Sequence, residues 1–171
     1  IEEPIRIVYS LKDDRTSSIC RNIVIADEGS KGTIVQELYS SSTTFSSSSS
    51  SNPKGSKTNN EAKGNDAGDN RQESYFEVLE CIVKSAAELE FITLQSMNSD
   101  TVCVVNRKAF VEKDAKMSWY SGMFGARLCR FKTDSVMKGS GARAEDVEIV
   151  FGTNNQSFDI SSNLDHIGFS T

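Results

Sequence analysis

KSAAELEF, at residues 84–91, joins a polar turn to a strand-like run, and the same pattern recurs along the chain. The other copies are EGSKGTIV (28–35), EKDAKMSW (112–119) and KGSGARAEDVEI (138–149). The small residue of each copy marks a turn, and the spacings are 55, 28 and 29 residues for the markers Gly32, Ala87, Ala115 and Ala144. A period near 28 with two strands per unit predicts a β-solenoid, in which stacked coils bury one shared interior.

Short runs rich in Val, Ile, Phe, Tyr and Thr fill the chain between these turns. Several alternate apolar and polar residues, as in Val147, Ile149 and Phe151 around Glu148, which is typical of a strand with one buried face. Helix capping boxes followed by a helical apolar period are hard to find. We therefore predict a nearly all-β body whose β-branched and aromatic residues fill the interior. A β-sandwich is the alternative, and the regular period favours the solenoid.

Residues 40–71 differ in composition, with ten serines and only Phe45, Ala62 and Ala67 as apolar residues. Ordering such a segment costs about 1 to 2 kcal/mol per residue, whereas closing it as a flexible loop costs about 3 kcal/mol in total. We predict a disordered Ser/Asn-rich insertion within one folded body, and it explains why the first marker spacing is twice the others. A phosphorylated tail or a linker between domains is the alternative.

The net charge is −5, from 24 acidic and 19 basic residues. Bulk attraction to nucleic acid or to an anionic membrane is therefore not expected. No apolar run approaches the ~18 residues of a membrane span, and no signal peptide opens the chain. Because the first residue is Ile1 rather than methionine, we expect a fragment or a processed piece.

The cysteines are too far apart for a zinc or ferredoxin spacing; they are Cys20, Cys81, Cys103 and Cys129. Each lies in an apolar run, where a reduced cysteine behaves as a small buried hydrophobe. Trp119 and Phe124 are likewise expected in the core rather than on a ligand-stacking surface. Reduced thiols favour a reducing compartment, so we predict a cytoplasmic location, or a plastid in a plastid-bearing eukaryote.

The densest group of side chains suited to chemistry is Asp159, Asp165 and His166, in GTNNQSFDISSNLDHIG (152–168). A carbohydrate-active β-helix enzyme needs converging carboxylates, but adjacent Asp165 and His166 point to opposite faces of a strand. His166 is only a weak metal candidate, which Asp159 or a cysteine from a neighbouring coil could join, because a stable site takes three or four ligands. The plainer interpretation is that Asp159 and His166 hydrogen-bond to turn backbone in a solenoid corner. We therefore predict no catalytic residue and no metal site.

Three stretches resemble, in order and spacing, the shared core of the SufB/SufD family of iron–sulfur cluster assembly proteins. They are RNIVIADEGSKGTIVQELYS (21–40), DAKMSWYSGMFGA (114–126) and GARAEDVEIVFGTNNQSFDISSNLDHIG (141–168). The last carries the most recognisable block of the family, Gln-x-x-Asp and then a histidine seven residues later, here Gln156, Asp159 and His166. The resemblance implies a right-handed parallel β-helix. It identifies residues 1–171 as a single SufBD-like core domain interrupted by the low-complexity loop 40–71.

The resemblance also implies a non-catalytic scaffold that works with a SufC-type ABC ATPase and a second SufB-type or SufD-type chain. Since the sequence has no phosphate-binding loop, ATPase activity must come from such a partner. Leu38 stands where SufB-like chains tend to carry a cysteine, and Met97 where they tend to carry a tryptophan, so a SufD-like chain is expected.

Family members are longer, and the residues credited with cluster binding cannot be carried over to this chain. An iron–sulfur cluster or iron is expected only within the assembled complex, and no cofactor is predicted for this chain itself. The alternative function is a stand-alone β-solenoid binding or adhesion module, ahead of a carbohydrate-active enzyme.

Overall fold

The computed structural model describes residues 3–11, 16–40 and 72–171, and the regular elements in them are all β-strands. The ten strands are β1 (Ile5–Leu11), β2 (Ser17–Ala26), β3 (Lys31–Ser40), β4 (Glu73–Val83), β5 (Glu88–Ser96), β6 (Thr101–Val111), β7 (Lys116–Met123), β8 (Leu128–Met137), β9 (Arg143–Val150) and β10 (Ser157–His166). Within these ranges, no helix is long and apolar enough to cross a membrane. The predicted insertion, apart from Ser40 at the end of β3, lies outside the described residues.

Two five-stranded sheets make up the fold, and all neighbouring strands in them are parallel. The odd-numbered strands form one sheet in the order β1-β3-β5-β7-β9, and the even-numbered strands form the other in the order β2-β4-β6-β8-β10. Each odd strand and the even strand after it make one coil, and we number the coils 1 to 5 from β1–β2 to β9–β10. The predicted all-β parallel solenoid is confirmed, and the β-sandwich, which requires antiparallel sheets, is wrong.

The strand register gives the length of each coil. Lys116 pairs with Glu88 on one side and with Arg143 on the other, 28 and 27 positions away along the chain. Lys31 pairs with the same Glu88 from 57 positions away, so β3 and β5 are direct neighbours. The residues that make this separation twice as long as the others therefore lie inside coil 2, between β3 and β4. The repeat spacing predicts the insertion at this place.

Sharp turns stack at the corner where each even strand leads into the next odd strand. One residue of each turn has a positive φ, between 55° and 73°: Gly29, Ala86, Asp114 and Gly141. The backbone N–H of Ala86 donates to the carbonyl of Lys113 at 2.9 Å, and the backbone N–H of Asp114 donates to the carbonyl of Ser140 at 2.9 Å. These hydrogen bonds join each turn to the turn of the next coil and so satisfy backbone groups that face no strand.

The small residues that pack under these turns differ in part from the predicted markers. Ala87 and Ala115 lie at the corner and are at most 1% exposed, as the repeat predicts. The matching position in coil 5 is Ala142, because Arg143 pairs with Lys116. Gly32 and Ala144 instead lie two positions later, inside β3 and β9. The marker positions were misplaced because a small residue is tolerated both at the corner and on the first inward position of a strand.

Alternate residues of each strand face the interior and are buried in coils 2 to 4. One buried cluster centres on Phe91 and Trp119, whose ring centroids are 5.5 Å apart, which confirms Trp119 as core. Phe124 is 44% exposed, which corrects its predicted place in the core. Its ring lies on the outer face over Gly122, where a Cβ atom would come within 2.6 Å of the Phe124 ring.

Coil 5 reverses the expected facing of its apolar residues. Val147, Ile149 and Phe151 are 40%, 60% and 64% exposed, and Glu148 is among the less exposed residues of β9. The register explains this result, because Glu148 pairs with the inward-facing Ser121 of coil 4. Strand β10 itself, SFDISSNLDH, is largely polar, so its composition predicts a strand less clearly than the apolar runs do.

Candidate functional site

The three family-signature residues lie at separate places in coil 5. Gln156 closes the turn before β10, where its Oε1 accepts the backbone N–H of Thr153 at 2.7 Å. Asp159 forms an ion pair with Arg130 of the neighbouring strand at 3.2 Å, and both side chains are 61% exposed. His166 ends the strand seven residues later, about 23 Å away at the ~3.3 Å rise of a strand. The signature therefore does not converge into one site.

His166 belongs to the inward-facing side of β10, at the same level as Met137 in coil 4. Its Nδ1 is 3.1 Å from the hydroxyl of Thr171. Asp165 pairs with Val136 and so faces the other way, as strand alternation predicts. In the described part of the chain, no three His, Cys, Asp or Glu side chains are close enough together to hold a metal ion. Of the signature residues, Gln156 is the one that bonds to turn backbone, whereas Asp159 and His166 bond to side chains.

A second set of polar side chains runs through the interior, from coil 1 to coil 5, and we call it the polar file. Sequence reasoning did not identify it as a unit. Its members are Tyr9, Asn22, Gln36, Glu77, Thr93, Arg107, Ser121, Asp146, Glu148 and Ser162. They occupy inward positions that face one another across the two sheets, so polar contacts run from coil to coil.

Glu77 is the centre of the file in coils 1 to 3 and is 2% exposed. Its Oε1 accepts hydrogen bonds from Asn22 Nδ2 and from Gln36 Nε2, each at 2.7 Å. Gln36 in turn accepts the hydroxyl of Thr93 at 3.3 Å, and Asn22 accepts the hydroxyl of Tyr9 at 3.0 Å. Hydrogen bonds to a buried carboxylate are among the stronger ones in proteins, so these contacts fix how coils 1, 2 and 3 stack.

Arg107 is the cation of the file and is 1% exposed. Its Nη1 donates to Ser121 Oγ at 3.0 Å, and its Cζ lies 4.6 Å from the ring centroid of Phe131 and 5.5 Å from that of Trp119. Burial lowers the pKa of Arg107, and the negative charge of Glu77 acts in the opposite direction. Ring faces and a nearby carboxylate are the surroundings in which a guanidinium can be buried as a cation.

Asp146 and Glu148 end the file in coil 5. Burial raises the pKa of Asp146, and this effect is opposed by the hydroxyl of Ser162, which donates to it, and by Arg107. Burial also raises the pKa of Glu148, with a further contribution from the charge of Asp146. Within the described residues, one carboxylate oxygen of each has no hydrogen-bond partner, and neither have Nε and Nη2 of Arg107. Oε2 of Glu77 likewise lacks a partner in this part of the chain, but its Oε1 accepts two hydrogen bonds, whereas Asp146 Oδ2 accepts one.

The sequence contains a pattern that indicates the burial of Arg107. It lies in TVCVVNRKAFV, where Asn106, Arg107 and Lys108 look like an exposed polar stretch. Counting in steps of two from the buried Cys103 and Val105 reaches Arg107 on the same face. The signal was not decisive, since an arginine in a polar triplet is far more often solvated than buried.

Comparison with known proteins places this fold in a family. Residues 60–171, more than half of the chain, match the family model described as "SUF system FeS cluster assembly, SufBD core domain". Similar proteins include "Iron-sulfur cluster assembly SufBD family protein" from Staphylococcus epidermidis (strain ATCC 12228), 21% identical over 170 residues. Relatives from Staphylococcus haemolyticus and Staphylococcus aureus (strain USA300) are each 22% identical over the same length.

Each of these alignments covers 97% of this chain, but this chain spans only 30% of the length of the relatives it matches. The matched region includes coils 3 to 5 and the signature residues on β10 and in the turn before it. The resemblance of the sequence to the SufB/SufD core is thereby confirmed. The chain belongs to the SufBD family of iron–sulfur cluster assembly proteins.

Proposed function

We propose that this chain acts as a non-catalytic, SufD-like scaffold subunit of a SUF complex. Membership of the family supports the assembly role. Support for the SufD-like branch comes from Leu38 and Met97, which are 0% and 3% exposed and fill the core with apolar atoms. A leucine cannot supply the thiolate that a nascent cluster would take as a ligand. Cluster chemistry is therefore assigned to the partner chain.

The observation that carries a scaffold role is an apolar outer face on the sheet of odd-numbered strands. Leu94, Phe124, Val147 and Ile149 are between 40% and 60% exposed. They are contiguous, because Gly122 pairs with Leu94 on one side and with Ile149 on the other. We call these four residues the apolar face. A group of adjacent exposed apolar residues on a rigid sheet is typical of a protein interaction surface.

We assign the partners as a SufC-type ABC ATPase and a SufB-type or SufD-type chain. ATP hydrolysis is then a property of the ATPase, and iron or an iron–sulfur cluster is cargo of the assembled complex rather than a resident group of this chain. A cytoplasmic complex fits the four free cysteines, Cys20, Cys81, Cys103 and Cys129.

The test is affinity purification of the full-length protein from its native cells. We expect an ABC-type ATPase and a second homologous chain to co-purify, and the proposal fails if neither appears. The double variant Leu94→Ser/Ile149→Ser tests the apolar face, and it should reduce recovery of one of the two partners. Ile23→Ser is the matched control, because Ile23 is 58% exposed on the other sheet. Recovery of both partners at the unmodified level from the double variant would show that the apolar face is not a contact surface.

A further inference from the structure

Five of the eight sulfur atoms of the chain lie in one buried cluster or against it. Met97, Cys103, Met123 and Cys129 belong to the cluster and are at most 3% exposed, and Cys20 packs against it. The other core cluster contains the three remaining sulfur atoms, those of Cys81, Met117 and Met137. The larger group of five lies at the side of the interior next to the corner that joins odd strands to even strands.

Cys103 and Cys129 face each other directly across neighbouring strands. They are register partners in β6 and β8, and both are 0% exposed. Neighbouring strands lie about 4.8 Å apart, so two inward side chains at the same level bring their sulfur atoms close together. In agreement with this, a hydrogen bond with Cys129 and burial raise the pKa of Cys103 well above its ordinary value. The two thiols therefore form a pair rather than two isolated buried hydrophobes.

The two thioethers lie beside this pair. Met97 is the first residue of the turn 97–100 and Met123 is the last residue of β7, before the turn 124–127; Cys103 and Cys129 follow those turns. The turns are closely packed, since the N–H of Ala126 donates to the carbonyl of Met97 at 2.9 Å. Two thiols and two thioethers of soft-ligand type therefore belong to one buried, close-packed cluster.

We propose that Cys103 and Cys129, with Met97 and Met123 around them, form a binding site for the monovalent soft cation Cu(I). Soft thiolate and thioether ligands select Cu(I) over harder cations. Zinc sites take four nitrogen, oxygen or thiolate ligands, and iron–sulfur clusters take four thiolates, so two thiols match neither. The proposal is independent of the scaffold function, because the copper site is internal and the apolar face is external.

The binding step balances without a redox partner. Two S–H bonds break as two Cu–S bonds form, both protons pass to the solvent, and copper remains Cu(I). The resulting complex carries one negative charge in place of two neutral thiols. Arg107 is buried in the same interior, and among the described residues its Nε and Nη2 have no hydrogen-bond partner. The buried guanidinium therefore offsets the charge of the complex.

The experiment is an anaerobic titration of the full chain with Cu(I), in competition with a chromophoric Cu(I) chelator. We expect about one Cu(I) to be retained per chain, and Cys103→Ala and Cys129→Ala to abolish retention. Cys81→Ala is the matched control: Cys81 is also 0% exposed, but its register partners are Val24 and Ala109, which carry no sulfur. The control variant should bind copper as the unmodified chain does.

Two further variants keep the proposal testable if the alanine variants fold poorly. Met97→Leu and Met123→Leu preserve volume, and each should weaken Cu(I) binding by roughly 10- to 100-fold, the range seen when a supporting contact at a metal site is removed. Cu(I) should also raise the melting temperature of the unmodified chain and of the Cys81→Ala variant. The proposal is overturned if the chelator removes all copper from the unmodified chain, or if Cys103→Ala retains it.

Discussion

Coil 4 and coil 5 have strands of the same lengths that pair in parallel, but their interiors are very different. In coil 4 the inward residues Trp119, Phe131 and Met137 are at most 1% exposed. Coil 5 has Asp146 at the level of Trp119 and His166 at the level of Met137, and its inward residues are partly or largely exposed. Among the described residues, coil 4 has a neighbouring coil on each side, whereas coil 5 has one neighbour, coil 4. Burial in a solenoid is therefore decided by the neighbouring coils rather than by the strand itself.

The largest expected difference between the two coils concerns core packing. Phe131 and Ile160 occupy the same level in β8 and β10. Phe131→Ala should reduce the free energy of unfolding by about 3 to 5 kcal/mol, because it leaves a cavity in a closed core. Ile160→Ala, at a half-exposed position, should cost less than about 2 kcal/mol. Urea denaturation followed by circular dichroism measures both, and equal losses would contradict the contrast between the coils.

A second difference concerns the turns. A Cβ atom on Gly139 would lie 2.0 Å from the backbone nitrogen of Lys113 in the next turn. Gly139→Ala should therefore reduce stability by about 1 to 3 kcal/mol, since two backbones have to separate. In coil 5 a Cβ atom on Gly152 would meet only the ring of Phe158, at 3.0 Å. Gly152→Ala is the control and should change the denaturation midpoint little. A larger effect for Gly152→Ala would show that coil 5 is the more tightly packed of the two.

A third difference concerns the pH dependence of stability. The pKa values of Asp146 and Glu148 are raised by burial, so the folded state binds protons more strongly than the unfolded state. Their favourable contribution is fully present below the unfolded carboxyl pKa of about 4 and is lost as the pH rises through the raised values. The double variant Asp146→Asn/Glu148→Gln should therefore stabilise the fold at neutral pH. The gain should be smaller than the losses expected for Phe131→Ala and Gly139→Ala, because both carboxyl groups are partly solvated.

Urea denaturation at a series of pH values measures this effect, and two carboxylates on the outer face should show the opposite pH dependence. Hydrogen bonds from Arg6 and Lys31 lower the pKa values of Glu37 and Glu88 on the outer face. Stability from these pairs is present above the unfolded carboxyl pKa and is lost as the pH falls. The stability gain of the double variant should shrink as the pH approaches about 4. A gain that stays constant with pH would mean that ionisation of Asp146 and Glu148 is not its cause.

The smallest effect is expected for a signature residue. Asp159→Asn removes the ion pair with Arg130, in which both side chains are 61% exposed. Exposed ion pairs contribute about 0 to 1 kcal/mol, so the denaturation midpoint should hardly move. A loss above about 2 kcal/mol would indicate that Asp159 supports the packing of coil 5. Arg130→Gln is the matched variant and should behave in the same way.

Sequence reasoning recovered the strands because their residues are locally distinctive. β-branched and aromatic runs separated by turns of four to six residues were sufficient to predict two strands per repeat and the place of the insertion. Strand β10 is less distinctive, because serine, aspartate and asparagine, which have no strong strand preference, separate its few apolar residues, Phe158, Ile160 and Leu164. The Cu(I) site was missed, because Cys103 and Cys129 are 26 positions apart in the sequence and only the stacking of coils makes them neighbours.

The sequence by itself determined the repeat, the β content, the position of the insertion and, through its signature, the family. Only the tertiary structure decided which side of each strand is the interior. A period of two defines two faces without saying which one is covered, so Val147 and Glu148 could not be assigned from alternation alone. Stacking also places residues a full coil apart at the same level. Arg107 is buried among Phe131, Trp119 and Ser121 for that reason, although its neighbours in sequence are Asn106 and Lys108.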